Sequence, residues 1–217
     1  MVKNQKEEVY GDDEEDVPMV KVLVLGGPRT GKTSIINRYC HNKIPSNYKV
    51  TVGVDCVSKI TVVNGVKVEL FFWDISGQER YAHMTRQYFE NAKGVFIVFD
   101  VSDEKTLEAA EAWKAEVDNC FPNEPIPSIL LANKSDKILD LKEVPYRRYD
   151  QFCEYNKIVK WFLTSAMAGT GLDESVDELV KLIFDSNADL APKKPVGFKL
   201  TSAPQQQATT ETRKTCC

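Results

Sequence analysis

The segment Gly26-Gly27-Pro28-Arg29-Thr30-Gly31-Lys32-Thr33 constrains this chain more than any other, because it follows directly on the apolar run Met19 to Leu25. That run reads as a buried strand, and Thr33 to His41 reads as a short helix. A Gly, four residues and Gly-Lys-Thr between a strand and a helix is the pattern of a phosphate-cradling loop. Glycines let the backbone curl so that several N–H groups and the helix N-terminus point at negative charge. In such a loop Lys32 reaches the β- and γ-phosphates and Thr33 offers its hydroxyl to Mg²⁺. An ordinary glycine turn is the plain alternative, and the strand before and helix after argue against it.

The rest of the 217-residue chain alternates in the same way. Val54–Val63 and Val66–Trp73 are β-rich runs joined at Asn64-Gly65, a hairpin-turn signal. Gly94–Val101, Ile126–Ala132 and Ile158–Thr164 read as strands. Asp103–Cys120, Tyr146–Asn156 and Leu172–Asp185 read as helices. The alternation predicts an α/β fold of the P-loop NTPase type. It has a doubly wound, mostly parallel six-stranded sheet with one antiparallel hairpin strand and helices on both faces. Three regions are expected: an acidic, flexible N-terminal extension over residues 1–18, a nucleotide-binding domain over 19–188, and a flexible tail over 189–217.

Charge supports that division. Residues 1–18 carry seven acidic and two basic side chains, whereas the tail from residue 190 carries five basic and one acidic. A basic tail suits an anionic membrane surface, each nearby Lys or Arg adding about 1 kcal/mol, although a solvated linker has the same composition. Four of the six cysteines, Cys40, Cys56, Cys120 and Cys153, are scattered singly, without zinc-type spacing or a disulfide framework. His41 and His83 are isolated and suggest no metal site. The acidic start resembles neither a secretory signal nor a transit peptide, and no apolar run is long enough to span a bilayer.

Asn133-Lys134-Ser135-Asp136 follows the Ile126–Ala132 strand, where open α/β sheets place ligand loops. A carboxylate such as Asp136 can accept both N–H groups of the guanine Watson–Crick edge. Adenine would leave it unpaired, which costs much affinity. An ATP-using small kinase is therefore disfavoured. The ordered set of P-loop, Thr51-Val52-Gly53, Asp74-Ile75-Ser76-Gly77-Gln78, Asn133-Lys134-Ser135-Asp136 and Thr164-Ser165-Ala166 resembles the Ras superfamily over about residues 19–186. Trp73-Asp74 with Gly77-Gln78-Glu79-Arg80, Val52-Gly53-Val54-Asp55 and a terminal Cys-Cys resemble Rab proteins. Met84-Thr85-Arg86, Trp113-Lys114 and Ile126-Pro127 are similar to the Rab branch serving lysosome-related organelles.

The resemblance implies a GTPase that binds GTP and GDP with Mg²⁺ and hydrolyses GTP slowly, since nothing in the chain supplies an arginine finger. It implies that Gln78 orients the attacking water, with Lys32 and Thr51 as the other catalytic groups. Thr33, Thr51 and, through water, Asp74 would hold the metal, and the Gly77 N–H would touch the γ-phosphate. Gly26, Gly27, Pro28, Arg29, Thr30, Gly31, Ser34, Ile44, Tyr48, Asn133, Lys134, Asp136, Ser165, Ala166 and Met167 would complete the nucleotide site. Thr51 and Asp74 also read simply as strand-end residues, and Gln78 as an exposed helix start. Loss of the γ-phosphate would release both switch segments.

Four positions depart from the family pattern. Pro28 has no N–H and a fixed φ; Ser76 stands where Ala is usual; Ile44 replaces an aromatic over the guanine; Met167 replaces a Lys. These bear on rate and affinity, and motivate an alternative, a GTP-binding scaffold with little turnover. The family's effector triad falls on Cys56, Trp73 and Tyr88, with Cys56 in place of the usual Phe. Trp113 and Trp161 read as packing.

Cys216-Cys217 resembles the Rab signal for geranylgeranyl attachment, and two lipid chains anchor stably where one is marginal. Two unmodified thiols are the plain alternative. The implied partners are an exchange factor, a GTPase-activating protein, effectors that read the switches, Rab escort protein and GDP-dissociation inhibitor, and no nucleic acid. A monomeric domain is implied on the cytoplasmic face of endomembranes, cycling with the cytosol.

Overall fold

The computed structural model describes residues 17–44, 50–77, 87–187 and 190. Their elements are β1 (Met19–Leu25), α1 (Lys32–His41), β2 (Val54–Val63), β3 (Val66–Ile75), β4 (Gly94–Asp100), α2 (Lys105–Cys120), β5 (Ser128–Asn133), α3 (Tyr146–Tyr155), β6 (Lys160–Leu163) and α4 (Leu172–Ser186). The strands form one six-stranded sheet in the order β2-β3-β1-β4-β5-β6. Only β2 runs antiparallel, paired with β3 from Val54 opposite Ile75 to Val63 opposite Val66. Asn64 and Gly65 close that hairpin with φ of 51° and 80°, the two positive values that a tight hairpin turn matching strand twist needs.

The period-2 pattern of the strands sorts the core into two layers. Val20, Val22 and Val24 of β1, with Phe96 and Val98 of β4, pack under α1 and α4. Leu23, Leu25, Ile97 and Phe99 point the other way, under α2 and α3. β4 and β5 are buried along their whole length, as expected of parallel strands covered on both faces. Each fully buried Leu, Ile or Phe contributes on the order of 1.5–3 kcal/mol. Trp113 belongs to this core, 4% exposed, and its Nε1 has no hydrogen-bond partner among the described residues. Trp161 is half-buried and donates to Asp150 at 2.7 Å.

Element ends differ from the sequence reading by a few residues, for local reasons. β5 begins at Ser128 rather than Ile126 because Pro127 lacks an N–H; its carbonyl still accepts from Val95 N at 3.0 Å. α2 begins at Lys105 rather than Asp103, because the Asp103 carbonyl accepts from the Thr106 hydroxyl at 2.5 Å and caps the turn before the helix. β3 runs on to Ile75, two residues past the expected end, held by its pairing with Val54. β1 lies between β3 and β4, and the helices that follow β1 and β4 cover opposite faces. Their C-terminal ends thus flank the crevice where doubly wound sheets bind ligands.

Candidate functional site

The P-loop occupies that crevice. Gly26 has φ of 144°, and a Cβ there would lie 2.1 Å from the Val98 carbonyl oxygen, so no other residue fits. The Thr30 side chain is fully buried and donates to Gly27 O at 3.0 Å, closing the loop from inside. Lys32 is 6% exposed, and its Nζ donates to Gly26 O and Gly27 O, each at 2.9 Å. An ammonium has three donors, so one is left to reach a phosphate. Burial pulls Lys32 down to about 8, against the opposing pull of Asp74. An anion beside it would restore the charge that burial disfavours.

Three oxygen-bearing side chains from separate segments meet at the mouth of this loop. Thr33 Oγ1 donates to Asp74 Oδ2 at 2.5 Å and lies 2.9 Å from Thr51 Oγ1. Thr51 reaches the same carboxylate oxygen at 3.3 Å. Asp74 is 2% exposed, and its other oxygen, Oδ1, is buried with no hydrogen-bond partner among the described residues. Burial raises the Asp74 carboxyl, opposed by the Thr33 bond and the Lys32 charge. A buried acceptor left open beside two hydroxyls is the oxygen donor set a hard divalent cation takes, so these residues fit Mg²⁺.

Gly77 closes the site from the β3 side. A Cβ there would fall 2.6 Å from the backbone of Gly27 and Pro28, so this strand end lies directly on the P-loop. Ser76, 7% exposed, ties the end of β3 to the segment after Thr51 through its N–H to Gly53 O at 3.0 Å. Gln78 and Tyr48 lie outside the described residues, as do Cys216, Cys217, residues 1–16 and the tail apart from Leu190.

The base end is built from β5 and the loop after β6. Asn133 is 1% exposed; its Nδ2 donates to Thr30 O at 2.8 Å, and its Oδ1 accepts from Ala166 N at 3.2 Å. One amide thus binds the P-loop, the end of β5 and Ser165-Ala166 into a unit. Ser165 Oγ lies 2.5 Å from Asp136 Oδ1, fixing a carboxylate whose residue is otherwise exposed. Lys134 Nζ donates to Arg29 O at 2.7 Å and pairs with Asp100 Oδ2 at 2.6 Å. Arg38 of α1 donates to Met167 O at 2.9 Å. Arg38 and Asp100 were not found by sequence reasoning; the one available signal was a carboxylate ending the apolar β4 run. Ser34 and Ile44 are half-buried near the loop termini, and Met167 is 63% exposed.

The expected effector triad also comes together. Cys56 is exposed and sits opposite Trp73 in the β2–β3 register. The Trp73 and Tyr88 rings lie 6.4 Å apart, and Lys21 Nζ sits 3.7 Å above the indole. Trp73 is half-buried, so it serves both the core and the surface.

Residues 21–185 match the Ras family model. The chain is 48% identical over 199 residues to Ras-related protein Rab-32C of Dictyostelium discoideum, covering 91% of this chain and 88% of that protein. It is 38% identical over 203 residues to human Ras-related protein Rab-32, covering 92% and 89%. Human Ras-related protein Rab-7L1 is 37% identical over 177 residues, covering 79% and 86%.

Proposed function

We propose a working cycle for this chain, which belongs to the Rab family of Ras-type small GTPases and acts as a GTPase in vesicle trafficking. Its relatives place it in the Rab-32 branch. The observation that carries the cycle is the single buried amide of Asn133, which joins the P-loop to the base loops. A nucleotide, with phosphates at one end and a base at the other, fits a site that spans both.

In this cycle the P-loop amides and the free donor of Lys32 take the β- and γ-phosphates of GTP. Asp136, oriented by Ser165, accepts from the guanine edge. Ile44 and Met167 cover the base with aliphatic surface in place of the family's usual groups. Thr33, Thr51 and, through water, Asp74 would hold Mg²⁺, which when bound would neutralise phosphate charge. Gly77 lies close enough to the P-loop for its N–H to meet the γ-phosphate, and Gln78 orients the attacking water. Departure of the γ-phosphate removes what Thr51 and Gly77 bind, and both segments relax. A scaffold with little turnover has Pro28 and Ser76 in its favour, and family membership weighs against it.

Exchange factor, activating protein and effectors read the two switches, the effectors through Cys56, Trp73 and Tyr88. Among the described residues no helix is long and apolar enough to cross a membrane. Attachment to endomembranes then falls to lipids on Cys216 and Cys217, beyond the domain over residues 19–188 and delivered with Rab escort protein and GDP-dissociation inhibitor. Competition between nucleotides tests the base assignment: ATP should displace bound GDP at least about a hundredfold less effectively than GTP. Preferential protection by ATP would reverse it.

A further inference from the structure

Asp100 ends β4 directly beside Asn133 in the β4–β5 register, and its two carboxylate oxygens do different things. Oδ1 caps the following turn, accepting from Ser102 N at 3.0 Å and Ser102 Oγ at 2.6 Å. Oδ2 lies 2.6 Å from Lys134 Nζ and 3.6 Å from Lys137 Nζ. The Asp100 side chain is 9% exposed and that of Lys134 26%, so this is a sheltered pair rather than a screened surface contact. Burial alone would raise the Asp100 carboxyl; bonds from Lys134 and Ser102 outweigh it and hold the group below its ordinary value.

Lys134 stands at φ +67°, and its ammonium bridges two segments, giving one donor to Arg29 O of the P-loop at 2.7 Å. A long, flexible Lys stem loses much rotamer freedom when held in one place. Among the described residues the Lys134 ammonium is held by Asp100 and by the Arg29 carbonyl, so loss of the carboxylate leaves one carbonyl to oppose that freedom. We infer that Asp100 is a positioning residue of the nucleotide site, holding the Lys134 ammonium between guanine loop and P-loop and thereby slowing the release of guanine nucleotide. This rests on the reading of Asn133 to Asp136 as the guanine loop.

The split of the two oxygens makes the idea testable with one isosteric change. Asp100→Asn keeps an acceptor for Ser102 and sets an amide NH₂ against the ammonium. Release of a fluorescent GDP from the full chain with Mg²⁺ should speed up about tenfold in Asp100→Asn, the scale of one charge-assisted hydrogen bond. Lys134→Ala should speed release at least as much, and the double variant should release no faster than Lys134→Ala within about twofold, because coupled residues are non-additive. Ser102→Ala and Lys137→Ala should stay within about twofold of the unaltered chain, since neither removes the pair.

A turn-capping role alone would not produce that non-additivity. Should Asp100→Asn fail to fold, Asp100→Ser carries the same expectation. Release at the unaltered rate in the Asp100 variant, while Lys134→Ala accelerates it, would overturn the proposal and leave the guanine loop intact. Effects that multiply in the double variant would overturn it too. An unaltered chain that retains no GDP would instead sink the guanine reading itself.

Discussion

The two ends of the nucleotide site are built in different ways. At the base end, Asn133, Thr164 and Ser165 are buried to 1% exposure or less, and their bonds cross between three loops. At the switch end, Thr51 is held through side-chain hydroxyl contacts, between exposed Val50 and Val52, at 52% and 91% exposure. A Cβ added at Gly53 would meet no atom of the described residues within 4 Å. The base end is therefore tied together by the protein's own bonds, whereas at the switch end Asp74 Oδ1 has no hydrogen-bond partner among the described residues, and in the proposed cycle cation and γ-phosphate complete it. A site rigid at one end and ligand-completed at the other can hold both GTP and GDP yet change shape between them.

The largest expected effect lies at the base end. Asp136→Asn removes the carboxylate that matches guanine, and GTP affinity should fall at least about a hundredfold. Titration calorimetry checks it, and an unchanged affinity would mean that the base is read elsewhere. At the switch end, Gly77→Ala puts a methyl 2.6 Å from the P-loop backbone, forcing β3's end away. GTP hydrolysis should drop by about tenfold or more, while GDP affinity moves less than about threefold. If GDP affinity fell equally, the two ends would not be separable.

Smaller still is Ile44→Phe, which restores an aromatic over the base and should slow GDP release by about two- to fivefold. A stopped-flow chase reads it directly. The smallest test concerns the effector face. Burial pushes Cys40 up to about 11 and Cys153 up to about 12, so neither forms appreciable thiolate at pH 8. Cys56 is exposed. In a chain with Ser at positions 216 and 217, iodoacetamide at pH 8 should modify Cys56 ahead of Cys40 and Cys153, with peptide mapping as the readout. Faster labelling of Cys153 would contradict the packing of α3.

The same contrast explains what could be read from the sequence. The P-loop was legible because its geometry is set by neighbours in the chain: an apolar strand, fixed glycines, and a helix start. β4 and β5 were legible because strands covered on both faces must be apolar throughout. The guanine loop followed from its place after β5. The links between these pieces were not legible. Arg38 meets Met167 across 129 residues, and Lys134 meets Asp100 only because β4 and β5 are in register. Nothing local distinguishes those side chains from solvated ones. Partial burial of Trp73 could be weighed as an alternative to exposure, but the contacts that settle it come from Lys21 and Tyr88 on other elements.

Single-turnover hydrolysis of GTP with Mg²⁺, on the purified chain and on Gln78→Leu, bears most directly on the central claim of a working switch. The account predicts slow hydrolysis that falls at least about tenfold in the variant while GTP stays bound. Tight GTP binding with no turnover in either protein would contradict it and leave a nucleotide-binding scaffold in its place.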